Sequence, residues 1–160
     1  MKKHILFLLI SCFFGLISWK HRSTSAYYSW ETIFVKSEFG GSEVYKYYAG
    51  GKNKSESIEQ AEADVLKNLI FKGISGAPDP NPLIFEVNAE EKYRDFFNNF
   101  FSEKGEYKNF VELYRKGNLN VNDRLKTGRR NDRKKKGIEI LVKRAELRAA
   151  LQGAKIIPNK

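Results

Sequence analysis

Cysteine and histidine are almost absent from the sequence. Its single cysteine, Cys12, and its two histidines, His4 and His21, all lie close to the N-terminus. The rest of the chain therefore cannot form an internal disulfide, a thiolate nucleophile, or a Ser–His or Cys–His catalytic pair. A zinc or copper site there would depend on carboxylates alone, which is an uncommon ligand set. These absences predict a protein that is not an enzyme and has no metal or other cofactor.

Paired carboxylates are the catalytic arrangement that the composition leaves open. The candidates are Glu90 with Glu91, and the group of Glu56, Glu59 and Glu62. Each stands near the start of a predicted helix, where the positive end of the helix dipole favours carboxylates. We therefore assign no catalytic, cofactor-binding or metal-binding residue. A carboxylate-dependent glycan hydrolase is the least favoured hypothesis.

The first 26 residues have the anatomy of a secretory signal peptide. A basic start is followed by an apolar run over 5–18 and by the small residues Thr24, Ser25 and Ala26. The run is shorter than the roughly 20 residues that span a bilayer. The sequence thus predicts a signal peptide over 1–26 and one domain over 27–160. Charged residues at 20–22, between the run and the cleavage site, leave an uncleaved anchor as an alternative.

Cys12 suggests lipidation as a second way in which this segment is processed. It follows Leu9, Ile10 and Ser11, a context that resembles a bacterial lipobox. Lipidation of Cys12 would tether the protein to a membrane. The apolar stretch before Cys12 is short, and the residues after it are still apolar. Plain cleavage at Ala26 is therefore the favoured interpretation, and lipidation stays open.

Basic residues are concentrated late in the chain. The net charge is +10, and removal of 1–26 leaves +6, because that segment has four basic residues and no acid. Gly128 and Asn131 suggest a hairpin tip within the basic run, whose cations are Arg124, Lys126, Arg129, Arg130, Arg133, Lys134, Lys135 and Lys136. Such a run could bind the phosphates of anionic lipid, lipopolysaccharide or nucleic acid. The signal peptide makes nucleic acid an unlikely partner, and a solvated hairpin that protects a sheet edge is the favoured interpretation.

Two ligand-binding motifs fail on their spacing. Gly51 and Lys52 are followed by Asn53 where a phosphate-binding loop needs Ser or Thr, and Lys46 stands in place of the first glycine. The asparagine-rich stretch at 118–123 superficially resembles the start of a calcium-binding loop. Arg129 occupies the position where such a loop needs glutamate.

The periodicities predict a mixture of helices and strands. The clearest helix is 55–73, with a capping box at Ser57 and Gln60 and an apolar stripe of Ile58, Ala61, Val65, Leu69 and Gly73. A second helix follows Asn88 and carries an aromatic stripe over 93–101, and a short helix covers 144–152. Strands are predicted over 27–36, 43–49, 83–87, 107–116 and 138–142. The fold class is α+β: a two-layer sandwich with a mostly antiparallel sheet, two main helices and a short C-terminal helix.

Three groups of segments carry a resemblance to known proteins. They are 50–56 with 58–61 and 68–74, then 93–101, then 147–148 with 151–153 and 156–157. In that order the chain resembles uncharacterised secreted or lipoprotein-like envelope proteins of Bacteroides-type bacteria. It is also loosely similar to TolB N-terminal-like domains and to flagellar-assembly N-terminal domains. The resemblance covers about residues 43–157 and implies a small α+β domain of the cell envelope, with no catalytic residue.

The sequence thus leads to two main functional hypotheses. The first is an exported, non-enzymatic protein of the periplasm or cell envelope that acts through contacts with an unidentified envelope protein. The alternative is a polyanion-binding module, for lipopolysaccharide, polysaccharide or anionic lipid, that uses 124–136.

Overall fold

The computed structural model of the chain describes residues 32–49, 53–114 and 136–158. The strands are β1 (Thr32–Ser37), β2 (Glu43–Ala49), β3 (Val111–Leu113) and β4 (Lys136–Val142). The helices are α1 (Lys54–Phe71), α2 (Ala89–Lys92), α3 (Arg94–Phe100) and α4 (Arg144–Gly153), with 3-10 turns at Phe39–Gly41 and Glu106–Phe110. The strands form one antiparallel sheet in the order β1-β2-β4-β3. The predicted α+β class is confirmed.

The centre of the sheet is the pairing of β2 with β4. Tyr45 lies opposite Ile140 and Tyr47 lies opposite Ile138, and all four side chains are fully buried. They share one face because successive side chains of a strand point to opposite faces of the sheet. The alternation predicted for 138–142 is therefore confirmed.

Helix α1 covers this buried face of the sheet. It contacts β2, β3 and β4, and its Val65, Leu66, Leu69 and Ile70 are fully buried. The predicted helix is confirmed, but its predicted cap is wrong. Asn53 caps α1, because its side-chain Oδ1 accepts a hydrogen bond from the Glu56 amide at 2.8 Å. Ser57 lies inside the helix, where its hydroxyl donates to the Asn53 carbonyl.

The predicted strand at 83–87 is an irregular segment instead. The amides of Leu83 and Ile84 donate to the carbonyl oxygens of Leu69 and Ile70, at 3.1 and 3.0 Å. Those carbonyls belong to the last turn of α1 and have no partner within the helix. The segment therefore completes the hydrogen bonding of α1 and does not join the sheet. The predicted strand at 107–116 is likewise reduced, within the described residues, to the three residues of β3, preceded by the 3-10 turn.

The two outer strands have features that discourage pairing with other sheets. Strand β1 has an irregular register between Phe34 and Lys36, and β3 is only three residues long. Bulges, charged residues and short length all protect an exposed sheet edge. Within the described ranges, no helix is both long and apolar enough to pass through a membrane.

Candidate functional site

The site residues predicted from the sequence fall largely outside the described residues. Cys12, Arg124, Lys126, Arg129, Arg130, Arg133, Lys134 and Lys135 all do so. Lys136 is the first residue of β4, where its backbone pairs with Ala49 of β2. The anion-binding and lipidation predictions for these residues therefore stay predictions.

The described strands show where the chain enters and leaves the basic segment. The segment 115–135 connects β3 to β4, which are antiparallel neighbours in the sheet. The pairing of β3 with β4 extends one residue beyond β3, because the Tyr114 amide donates to the Glu139 carbonyl at 3.0 Å. Both ends of the segment are thus held at one end of the sheet. Helix α1 also begins at this end, a few residues beyond Ala49.

Charge is strongly segregated along the chain. The described residues contain 14 lysines and arginines and 16 acids, which gives a net charge of −2. Segment 115–135 has nine basic residues and two acids, which gives +7. Residues 27–160 carry +6 in total, so this connection between β3 and β4, with +7, accounts for all of their net positive charge.

A separate surface groove lies beside α2 and α3, with a volume of about 760 Å³. Its apolar wall consists of Val87, Phe97 and Phe101. The rings of Phe97, which is only 4% exposed, and Phe101 stack with a centroid separation of 6.2 Å. The polar lining consists of Lys67, Asn88, Glu90, Glu91, Arg94 and Asn98. We refer to these nine residues as the α2–α3 groove.

Two large apolar side chains in the segment before α2 are exposed, and one of them, Val87, lines the α2–α3 groove. Val87 is 97% exposed, and Phe85, two residues earlier in the chain, is 75% exposed. The strand predicted over 83–87 would place Leu83, Phe85 and Val87 on one face of a sheet. Only Leu83 of the three is buried, because the segment joins the end of α1 and not the sheet. Clustered exposed apolar side chains are typical of contact surfaces.

A buried ionic network joins β2, α4 and the proline-rich loop, residues 76–82. Glu43 and Arg144 are only 8% and 7% exposed, and the Arg144 Nη1 donates to Glu43 Oε2 at 3.2 Å. Arg144 also donates to the Asp79 carbonyl oxygen at 2.9 Å and to Asp79 Oδ2 at 2.7 Å. Tyr45 donates its hydroxyl proton to the same Glu43 oxygen, and Arg148 lies 3.4 Å from Asp79 Oδ2.

This environment shifts two pKa values. Burial raises the pKa of Tyr45 well above its ordinary value, and the hydrogen bond to Glu43 raises it further. Burial by itself would lower the pKa of Arg144, but the charge of Glu43 and its hydrogen bond raise it, so that the net shift is upward. The network therefore joins the phenol of Tyr45, the carboxyl groups of Glu43 and Asp79, and the guanidinium groups of Arg144 and Arg148, and its hydrogen bonds link β2 to α4 and the loop.

The raised pKa of Tyr45 predicts that the protein loses stability at alkaline pH. Above about pH 10 the phenol ionises in the unfolded chain while it stays protonated in the folded protein. The folded state then binds more protons, so the free energy of unfolding falls by about 1.4 kcal/mol per pH unit, and it is unaffected by Tyr45 below that pH. Urea titrations on either side of pH 10 measure this slope.

The control for this prediction is Tyr45→Phe. Its slope is expected to be shallower, with a residual contribution from Tyr107, whose pKa is also raised by burial and by Glu62 and Glu59. An unchanged slope in Tyr45→Phe would show that Tyr45 does not cause the alkaline loss.

The sequence patterns did not predict this network, although one signal for it is present. Glu43 stands in phase with Tyr45, Tyr47 and Ala49 on the inward face of a predicted strand. A carboxylate at such a position needs a buried partner. The strand pattern does not reveal which cation supplies it, since Arg144 lies 101 residues away.

The described residues contain no group of three or more His, Cys, Asp or Glu side chains arranged to hold a metal ion.

No protein-family model matches the chain, and no curated protein or solved structure is significantly similar to it. The class of the protein comes from its structure, which has an α+β fold. The resemblance to envelope proteins of Bacteroides-type bacteria and to the TolB and flagellar-assembly domains stays a prediction.

Proposed function

We propose that the protein is exported to the periplasm or cell envelope and acts there, without catalysis, through contact with another protein. The α2–α3 groove forms the contact surface. The observation that supports this proposal best is the 97% exposure of Val87, which lines the groove, together with the 75% exposure of Phe85 two residues earlier in the chain. A soluble protein keeps such side chains together at its surface at a cost in solubility, and they are commonly found at interaction sites.

Export is tested by the intact mass of the protein recovered from fractionated cells. The expected result is a chain that starts at Tyr27 in the periplasmic fraction, because the predicted cleavage site ends at Ala26. An acylated chain starting at Cys12 would support the envelope location with a lipid tether. An uncleaved chain recovered from the cytoplasm would contradict the export proposal.

The contact surface is tested with a photoreactive amino acid in place of Val87 in living cells. Irradiation is expected to link the protein to a partner at this position. The matched control is the same photoreactive residue in place of Phe39, which is also 97% exposed but lies outside the groove, between β1 and β2. An adduct at Val87 that is absent at Phe39 supports the proposal, and equal or absent labelling at both positions contradicts it.

Polyanion binding by the basic segment is a second candidate function. The specific observation that favours it is the charge segregation between +7 in 115–135 and −2 in the described residues. A module that carries its positive charge in one connection presents a local cationic surface, whatever the charge of the rest of the domain. Anionic lipid or lipopolysaccharide is the matching partner for an exported protein.

This candidate predicts binding to vesicles that contain anionic lipid, with an affinity that falls steeply as salt rises. Replacement of Arg129, Arg130, Arg133 and Lys134 by Ser is expected to remove most of the binding, since each cation near an anionic surface contributes about 1 kcal/mol. A matched control replaces four exposed lysines of the described domain, Lys72, Lys104, Lys108 and Lys155, by Ser. Binding that is equally weak in both variants, or absent at low salt in the unaltered protein, would contradict this function.

A further inference from the structure

Two arginines of α4 converge on one carboxylate group. Arg144 is the first residue of α4 and Arg148 lies one turn later, so their side chains are neighbours on the helix. Arg144 Nη2 lies 2.7 Å and Arg148 Nη2 lies 3.4 Å from the same oxygen, Asp79 Oδ2. Guanidinium groups that converge on one carboxylate are a common arrangement for binding an anionic ligand. In this protein the carboxylate belongs to the chain itself.

The charge of Asp79 is not needed to balance the buried charge of Arg144. The Glu43 side chain, which is 10% exposed, already places a carboxylate oxygen 3.2 Å from Arg144 Nη1. Without the Asp79 carboxylate, the two arginines and Glu43 would together carry +1. The two guanidinium groups therefore form a cationic site that is completed by one further negative charge.

The outer part of this site is open to solvent. The side chains of Asp79 and Arg148 are 45% and 38% exposed, and ion pairs between exposed groups are weak. The backbone of the proline-rich loop is held separately, because Arg144 Nη1 donates to the Asp79 carbonyl oxygen at 2.9 Å and the Ile74 amide donates to the Pro80 carbonyl oxygen at 3.0 Å. A rotation of the Asp79 side chain alone would thus open both Nη2 groups to an external anion.

From these observations we propose that Arg144 and Arg148 form a carboxylate-binding site, which Asp79 occupies as an internal competitor while no ligand is bound. The ligand is a carboxylate group because the group that the site already accommodates is a carboxylate. Small organic acids and the acidic side chains of proteins both carry such a group. None of these three residues lines the α2–α3 groove, so the inference does not depend on the proposed contact surface.

The first test is a titration with sodium acetate at constant ionic strength, followed by the NMR signals of the arginine Nε–H groups. Asp79→Asn removes the competing charge and keeps a side chain of the same size. It is expected to bind acetate at least about fivefold more tightly than the unaltered protein, because the fraction of molecules with an open site sets the apparent affinity. Addition of Arg148→Met to Asp79→Asn is expected to remove this gain. Equal affinity in Asp79→Asn and the unaltered protein, or a gain that survives Arg148→Met, would overturn the inference.

The matched control is Glu86→Gln, which removes an equally exposed carboxylate from its 2.9 Å ion pair with Lys92. It is expected to leave acetate binding unchanged, because a single ammonium group does not form a paired site. A gain as large as that of Asp79→Asn would overturn the inference. Urea denaturation checks that Asp79→Asn is folded. If it is not, Arg148→Met alone must weaken acetate binding by the unaltered protein, and an unchanged affinity would overturn the inference.

A second titration identifies the source of the carboxylate. It uses a tripeptide with blocked ends and a central aspartate, and the same peptide with asparagine in its place. Tighter binding of the aspartate peptide than of acetate would support an acidic side chain of a partner protein as the ligand, whereas equal binding would support a small organic acid. If the asparagine peptide binds as tightly as the aspartate peptide, the site does not recognise a carboxylate and the inference is overturned.

Discussion

Arg144→Met is expected to destabilise the protein by about 3–5 kcal/mol, the range found when one partner of a buried ion pair is removed. Arg144 is the only cation within hydrogen-bonding distance of the Glu43 carboxylate among the described residues. Its removal leaves Glu43, which is only 8% exposed, as a buried charge that keeps a hydrogen bond from Tyr45 alone. The same change releases the proline-rich loop, because Arg144 holds both the carbonyl and the carboxylate of Asp79.

Urea denaturation at neutral pH measures the loss, and two variants serve as controls. Arg148→Met is expected to cost less than about 1 kcal/mol, because Arg148 reaches Asp79 only at 3.4 Å and is 38% exposed. The double variant Glu43→Gln/Arg144→Met is expected to recover much of the loss of Arg144→Met, since the buried charge is gone. The explanation fails if Arg144→Met and Arg148→Met are equally stable.

Local periodicity predicted the helices and strands whose apolar pattern lies within a single segment of the chain. The alternation of Ile138, Ile140 and Val142 gave β4, and the stripe over Val65 and Leu69 gave α1. Both patterns reflect burial against a single face, so the sequence records them directly. The α+β class follows from these elements, whereas the predicted layer arrangement is a separate prediction.

The segment from Leu83 to Val87 shows why periodicity failed elsewhere. Its alternating apolar residues fit a strand, but its first two amides are taken by carbonyl oxygens at the end of α1. A sequence pattern records which residues are apolar and gives no information about which hydrogen-bond partner is nearby. The predicted strand over 83–87 also gave no indication of the groove, because it does not reveal that Phe85 and Val87 are exposed.

The two candidate surfaces differ in the same respect: one is visible in the sequence and the other depends on packing. The basic segment was found because charge runs are visible in composition, and its flanking strands β3 and β4 are antiparallel neighbours. The groove joins Lys67 of α1 to residues 87–101, and this proximity depends on how two helices pack. No local pattern encodes such a juxtaposition. The Glu43–Arg144 pair was missed for the same reason.

Gly73→Ala is expected to destabilise the protein by about 3–5 kcal/mol, which places it among the most damaging single substitutions. Gly73 ends α1 with φ at +74°, a conformation that L side chains rarely adopt. A Cβ at this position would lie 2.9 Å from both the Asn81 carbonyl carbon and the Pro82 nitrogen, and closer still to the Pro80 carbonyl oxygen. These are backbone atoms of a proline-rich loop, so they cannot turn aside as a side chain would.

Gly76→Ala separates the two causes of this loss. Gly76 also has a positive φ, of +84°, but a Cβ there would meet no atom within 4 Å. Its substitution is expected to cost only the backbone term of about 1–2 kcal/mol. The difference between the two variants, measured by urea denaturation, is therefore the cost of displacing the proline-rich loop from α1. The displaced loop would also lose the hydrogen bond from the Ile74 amide to the Pro80 carbonyl and the hold of Arg144 on Asp79. If Gly73→Ala costs no more than Gly76→Ala, close packing of this loop on the end of α1 is not what requires glycine at position 73.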